Sequence, residues 1–275
     1  MISFLIIKIH YGHCKKSRMY SNHEHERINE NIVIYHADCL KMMPLLASDN
    51  TKVDLILTDL PYGTTNCKWD SIIDLNSMWK CIDDLISPST PVLLFAQQPF
   101  TTVLGASNMK NLRYNWVWEK TQGTGFLNAK KMPLKCHEDI LVFYKNLPVY
   151  NPIKTEGHRR KVSLAKHKAG CKKSDIYHEC DNHVNYDSTQ RYPRSVIKFK
   201  SDKQTCALHP TQKPVALLEY LIRTYTNEND TVLDFTMGSG STGVACSRSN
   251  RKFIGIDNDI VSFNVAKNRL LTCKC

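Results

Sequence analysis

An acid, a proline and an aromatic ring stand together in Thr58-Asp59-Leu60-Pro61-Tyr62-Gly63, directly after the apolar run Val53-Asp54-Leu55-Ile56-Leu57. The run reads as a buried parallel strand, which Pro61 and Gly63 end abruptly. In open α/β sheets, ligands bind beyond the carboxyl ends of strands, which is where this turn projects. A carboxylate beside a stacking ring suits an exocyclic amine on a flat heterocycle. Such an amine is a poor nucleophile because its lone pair is delocalised into the ring. Acceptors on both of its hydrogens, the Asp59 carboxylate and the Leu60 carbonyl, would favour a pyramidal nitrogen with a localised lone pair. Tyr62 is expected to stack on the heterocycle and hold it for in-line attack. The competing reading is a strand-ending turn with an exposed tyrosine, because such residues are common after strands.

A second chemical stretch lies near the other end of the chain. Asp234 closes the short apolar run Thr231-Val232-Leu233, and Phe235-Thr236-Met237-Gly238-Ser239-Gly240-Ser241-Thr242-Gly243 follows. Gly238, Gly240 and Gly243 have the Gly-x-Gly-x-x-Gly spacing, and Asp257 ends the next strand, placed to bind ribose hydroxyls. Dinucleotide enzymes and S-adenosylmethionine enzymes both use that pattern. No Gly-Lys-Ser/Thr follows, which argues against a nucleoside triphosphate. Asp234 tips the balance toward S-adenosylmethionine: a carboxylate there takes an α-ammonium and repels a pyrophosphate. The Asp59 turn also offers a methyl acceptor rather than a hydride site.

The elements that must position these stretches follow from apolar periodicity. Short strands are expected at Ile32-Val33-Ile34, Val92-Leu93-Leu94-Phe95, Tyr114 to Trp118, Ile140 to Tyr144 and Phe253 to Ile256. Helical spacing recurs at Met42, Leu45 and Leu46, from Leu75 to Ile86 before Ser87-Pro88, and at Leu217, Leu218, Leu221, Ile222 and Tyr225. His209-Pro210-Thr211-Gln212-Lys213-Pro214 opens that last helix, with Pro214 in its first turn and Lys213 beside free amides that suit an anion. His137 and Glu138 precede a strand and read as a structural His–Glu contact. Residues 1–30 read as a loosely held arm, in which Met19 offers an alternative start.

A chain of 275 residues, 42% apolar and 23% charged, holds one sizeable α/β domain with an insertion, or two small domains. No apolar run reaches membrane length, and no signal peptide is expected. Eleven scattered cysteines fit a reducing cytosol better than secretion. The formal charge of +11 implies an anionic partner. Between Lys154 and Lys200, twelve lysines and arginines face five carboxylates, which concentrates most of that charge in one weakly periodic stretch interleaved with Tyr177, Tyr186 and Tyr192. Phosphate neutralisation with rings and amides for base edges is what nucleic acid requires, and Arg159, Arg160, Lys161, Lys172, Lys173, Arg191 and Arg194 are its candidates. The alternative is a solvated insertion. Cys171, His178, Cys180 and His183 match no common zinc spacing, so no metal is expected.

The Asp59-Leu60-Pro61-Tyr62 turn resembles the Asp-Pro-Pro-Tyr motif of amino-group DNA methyltransferases, with Leu60 in place of the first proline. Together with the later glycine loop, the chain resembles the β-class, circularly permuted members of that family over most of residues 31–272. The resemblance implies a Rossmann-like S-adenosylmethionine-dependent fold: a mixed, mostly parallel sheet with helices on both faces and an irregular basic insertion. It implies a catalytic half at 31–150, a target-recognition insertion at 151–205 and a cofactor-binding half at 206–275. It places Asp59, Leu60, Pro61 and Tyr62 at the flipped base. Asp38 and Cys39 are placed against the cofactor's adenine, Lys213 near the catalytic turn, and Thr242 near the methionine carboxylate. Asp234, Phe235, Gly238, Ser239, Gly240 and Asp257 complete the expected cofactor site. Where the family often has Asp-Pro-Phe-x-Gly, this chain has Asp234-Phe235-Thr236-Met237-Gly238. The expected activity is transfer of a methyl group to adenine N6 in double-stranded DNA. Cytosine N4, an RNA or protein amide, and a catalytically silent relative are the alternatives. The resemblance also implies a cytoplasmic monomer or homodimer, of restriction-modification or phage type, with a cognate restriction endonuclease as a partner and no membrane.

Overall fold

The computed structural model describes residues 24–63, 71–164, 185–201 and 212–273. In chain order the elements begin with β1 (Glu24–Arg27), β2 (Ile32–His36), α1 (Cys39–Ser48), β3 (Leu55–Asp59), α2 (Leu75–Asp83), β4 (Val92–Ala96) and α3 (Phe100–Ser107). They continue with β5 (Leu112–Thr124), β6 (Lys135–Phe143), β7 (Lys161–Ser163), β8 (Tyr186–Ser188) and β9 (Val196–Phe199). The chain closes with α4 (Val215–Tyr225), β10 (Thr231–Asp234), α5 (Ser241–Arg248), β11 (Lys252–Asp257) and α6 (Ile260–Thr272).

Among the described residues, one nine-stranded sheet runs in the order β1-β2-β11-β10-β3-β4-β6-β5-β9. The run from β2 to β4 is parallel, while β6 is antiparallel to both β4 and β5. The central strands are apolar on both faces because both are covered. Leu55, Leu57, Leu93 and Phe95 enter a core that also holds residues of α4, α5 and α6. Ile56, Val92, Leu94 and Ala96 enter a second core on the opposite face, against α1, α2 and α3. The chain leaves β3 toward β4 on one side and leaves β10 toward β11 on the other, although β3 and β10 are hydrogen-bonded neighbours. That divergence opens a crevice beyond their carboxyl ends, and the two chemical stretches of the sequence issue from these two strands. β2 lies beside β11, and the His36 ring meets the Phe263 ring of α6 at 5.5 Å, so β2 and the closing helix are neighbours.

Three sequence expectations change. Residues 24–27, within the expected arm, form an edge strand paired antiparallel with β2; the rest of the arm through residue 23 lies outside the described residues. β6 starts at Lys135, so His137 and Glu138 lie within the strand rather than before it. They point to opposite faces. Finally, the described part of the basic insertion is not irregular throughout. β7 and β8 pair as a ribbon, and β9 adds a parallel edge strand next to β5. No helix among the described residues is long and apolar enough to cross a membrane.

Candidate active site

A cavity of about 870 Å³ occupies the crevice. Asp59, Leu60, Pro61 and Tyr62 line it from β3, while Asp234, Phe235, Gly238, Ser239 and Thr242 line it from the turn after β10. Asp38, Cys39, Lys213 and Asp257 complete the expected set. Both chemical stretches therefore face one space. Gly240 is the exception: its φ is +73°, and a Cβ there would stand 3.0 Å from Ala266 Cβ in α6. It lets the loop turn against that helix rather than touching the cavity.

Asp59 is the most constrained group. The Tyr62 hydroxyl donates to its Oδ1 at 2.6 Å, and Lys213 Nζ donates to its Oδ2 at 2.5 Å. Thr236 Oγ1 donates to its main-chain carbonyl at 3.0 Å, which ties the acid turn to the glycine loop. Lys213 also lies 3.1 Å from Glu138 Oε2, and Glu138 Oε1 lies 2.5 Å from Lys120. Asp59, Lys213, Glu138 and Lys120 thus form a largely buried row of alternating charge. Burial pushes the Asp59 carboxyl above the ordinary carboxylate range, with Lys213 pulling it down and Glu138 adding to the rise. Burial acts against the charged forms of Glu138 and Lys213 as well, but their partners outweigh it: Glu138 is held below its usual value and Lys213 above its own.

Lys213 is held where the row needs it by the helix that follows. Tyr225, at the end of α4, accepts from Trp116 Nε1 at 2.7 Å and shares a 2.8 Å hydrogen bond with Tyr114, fastening α4 to β5. Lys213 stands with the acid turn and not with the glycine loop. Tyr62, expected as a stacking platform, uses its hydroxyl on Asp59 and packs its ring on Phe100 at 5.5 Å.

The glycine side carries its own polar network. Asp234 Oδ1 accepts from Thr58 Oγ1 at 2.6 Å and from the Thr236 amide at 3.2 Å, and its Oδ2 accepts from Thr242 Oγ1 at 2.6 Å. Burial raises this carboxyl to about 6 despite those donors. The Thr242 hydroxyl is thereby committed, so what Thr242 offers the cavity is a main-chain amide at the start of α5, where the first amides have no carbonyl above them. Gly238, with φ +51°, donates its amide to Asp257 Oδ2 at 2.8 Å, and nothing lies within 4 Å of where a Cβ would be. Asp38 caps α1 by accepting from the Leu40 amide at 2.9 Å. Burial pushes the Cys39 thiol up to about 12, so it forms a neutral wall. Phe235 is buried in the core shared with α1 and α2.

Among the wall residues to which the sequence reading assigned no part in the site are Lys120, Glu138 and Gln212. Gln212 is only 5% exposed and its Oε1 has no hydrogen-bond partner among the described residues. Glu138 had a signal, an acid inside an apolar strand, but its partners lie 18 and 75 positions away. Among the described residues, no expected nucleic-acid residue lines the cavity. Arg159, Lys161 and Arg194 are exposed, whereas Arg160 is paired with Asp187 at 2.7 and 2.5 Å. Arg191 donates to the carbonyls of Ser188, Gln190 and Arg159 and so braces the ribbon. Lys172, Lys173 and the Cys171–His183 group lie outside the described residues, and no group able to hold a metal occurs among the described ones.

A family model described as DNA methylase matches residues 53–268. Among relatives, the Type II methyltransferase M.HpaI of Haemophilus parainfluenzae is 28% identical over 238 residues, covering 81% of this chain and 69% of its own. The DNA adenine methyltransferase YhdJ of Escherichia coli (strain K12) is 28% identical over 247 residues, covering 83% and 79%. The solved structure of the M1.HpyAVI-SAM complex superposes with a TM-score of 0.62 at 29% identity, over 87% of this chain and 98% of that one.

Proposed function

This chain belongs to the DNA methylase family of the N6/N4 type, and from that premise we propose that it moves a methyl group from S-adenosylmethionine to the N6 amino group of adenine in double-stranded DNA. The observation that carries the reading is the single cavity shared by the Asp59 turn and the glycine loop. At about 870 Å³ it has room for a nucleoside-sized cofactor with a flat base beside it.

The cavity wall suits that cofactor. Asp234 Oδ2 accepts from Thr242 alone among the described residues, which leaves it an acceptor position for an ammonium. The open space over Gly238 admits a ligand against bare backbone, and Asp257 beside it would hold the ribose hydroxyls. The amides at the start of α5 suit the methionine carboxylate. Gln212 Oε1 is a buried acceptor with no donor among the described residues, and amine donors are present on both the cofactor and the target base. When bound, S-adenosylmethionine supplies an electrophilic methyl on a sulfonium, so the protein needs to supply no metal and no nucleophile of its own.

The remaining work falls to residues of this chain. A base flipped out of the duplex places its amine against Asp59, whose carboxylate and the Leu60 carbonyl accept its two hydrogens. As the nitrogen gains positive charge, Asp59 stabilises it and then takes the released proton. The raised affinity of the buried carboxyl for a proton suits that last step. Lys213 keeps Asp59 ionised beforehand, and Glu138 with Lys120 balances the lysine, so that no uncompensated cation faces the amine. Adenine is preferred over cytosine because an acid at this position resembles the adenine enzymes and because a named relative is an adenine methyltransferase.

Nucleoside mass spectrometry and methylation-sensitive sequencing of DNA from cells expressing the chain test the proposal. N6-methyladenine at a defined sequence is expected, and its loss in Asp59→Ala, with cofactor binding kept. N4-methylcytosine instead would overturn the choice of base, and unmodified DNA would overturn the reading.

A further inference from the structure

The end of β5 runs along the cavity: Lys120, Thr121, Gln122, Gly123 and Thr124 all line it. Thr124 pairs with Lys135, and the ten residues between them project beyond this last pair of the ladder. The projection is ordered by its own backbone. The Asn128 amide donates to Gly125 O at 2.9 Å, Ala129 to Phe126 O at 3.0 Å, and Met132 to Asn128 O at 3.0 Å. On that framework Leu127 is 101% exposed, Phe126 73% and Met132 50%. Scattered apolar residues on a surface require no explanation, but three on one short, turn-braced tip do. From Lys120 to Cys136 the chain carries four lysines and no carboxylate; Lys120 is spent on Glu138, which leaves the exposed Lys130, Lys131 and Lys135. An apolar point on a cationic stem beside a base-sized cavity is complementary to one kind of partner, a polyanion with stacked rings.

We propose that the Phe126–Leu127 tip is a wedge that enters the DNA stack at the target pair and fills the gap left by the base turned into the cavity. The proposal rests on the base-methylation reading above. Apolar wedges of this kind stabilise an unstacked step by substituting side-chain contacts for base contacts, and the lysines hold the backbone on either side. The tip follows directly on the stretch of β5 that lines the cavity, so the side chains that would fill the gap come next in the chain to one wall of the space that would receive the base. Arg194 and Lys200, exposed just before and just after β9, then add phosphate contacts from the strand neighbouring β5.

The test compares wild type with Phe126→Ser/Leu127→Ser in single-turnover methyl transfer, on the site returned by sequencing. Two duplexes are used: one fully paired, and one with an abasic site opposite the target. On paired DNA the variant should be slower by about tenfold or more, the scale of a lost unstacking partner. On the abasic-opposed duplex, where the target is already unpaired, the two proteins should agree within about twofold. Both side chains are exposed, so the thermal midpoint and cofactor affinity should be unchanged. Equal rates on paired DNA, or an equal loss on both duplexes, would overturn the wedge while leaving the methyltransferase standing. A wild-type protein that methylates neither duplex would overturn both.

Discussion

Replacing Glu138 with glutamine removes one charge from the middle of the buried row Asp59–Lys213–Glu138–Lys120 and leaves its shape intact. In the row, Glu138 serves two cations, Lys120 at 2.5 Å and Lys213 at 3.1 Å, while Asp59 serves only Lys213 at 2.5 Å. At an effective dielectric constant of about 20, unit charges 3 Å apart attract by roughly 5 kcal/mol before desolvation is counted. Removing one partner of a buried pair costs about 3–5 kcal/mol net, because the other charge stays buried. Lys213 retains Asp59 and Lys120 has some access to solvent, which favours the lower end of that range. A loss of about 3 kcal/mol lowers the thermal midpoint of a chain this size by roughly 6–12 °C. Asp59→Ala removes the end member instead and leaves Lys213 on Glu138, so about 1.5–3 kcal/mol is expected. The order in activity reverses. Asp59→Ala transfers no methyl, whereas Glu138→Gln keeps transfer, with the acid limb of its pH–rate profile displaced to lower pH. The sign follows because Glu138 is one of the charges that raise the Asp59 carboxyl, and removing it makes ionisation easier. Thermal denaturation and single-turnover rates from pH 5 to 8 measure both effects. A Glu138→Gln protein as stable as the parent, or an acid limb that stays put or moves upward, would refute the role given to the row.

Further expectations follow from particular side chains. Cofactor affinity should weaken about tenfold from pH 7.5 to pH 5, because Asp234, raised to about 6, must be ionised to hold the ammonium; calorimetry should show this dependence lost in Asp234→Asn. The effect of the same group on stability has the opposite sign. Its folded carboxyl holds a proton more tightly than the unfolded one, so its contribution is present below its ordinary range and is lost as pH rises through about 6. Gly243→Ala would place a Cβ 2.8 Å from the Phe253 ring and 2.9 Å from Leu270 Cδ2, and urea titration should show a loss of about 1–3 kcal/mol. Arg159→Ala should lower the salt dependence of DNA binding by about one phosphate contact with no change in stability. Arg191→Ala should instead loosen the β7–β8 ribbon, seen as faster amide exchange there, because that guanidinium is spent on carbonyls.

The apolar runs at Leu55–Leu57, Val92–Phe95, Val232–Leu233 and Phe253–Ile256 were readable as buried strands because two-sided burial leaves no polar alternation to interpret. The turn at Asp59 and the glycine loop were readable for a related reason. Their chemistry depends on backbone geometry, and proline and glycine write that geometry into the chain locally. Gly240 looked like its neighbours on that basis. Its contact with Ala266 is a matter of which helix packs on the loop, and spacing carries no such information.

Sequence alone determined which residues can do chemistry and which strand ends present them, since both are properties of short windows of chain. It left undecided how charges separated by up to 154 positions would be shared. Lys213 was legible as a cation at a helix start, yet its partners Asp59 and Glu138 come from strands on either side of β4, and only the sheet order puts them within reach. Tyr62 was legible as a ring, but the tertiary structure assigned its hydroxyl to Asp59 and its face to Phe100. The reason is physical. A buried charge takes whatever partner the fold brings within about 3 Å, and that distance is set by packing rather than by position along the chain.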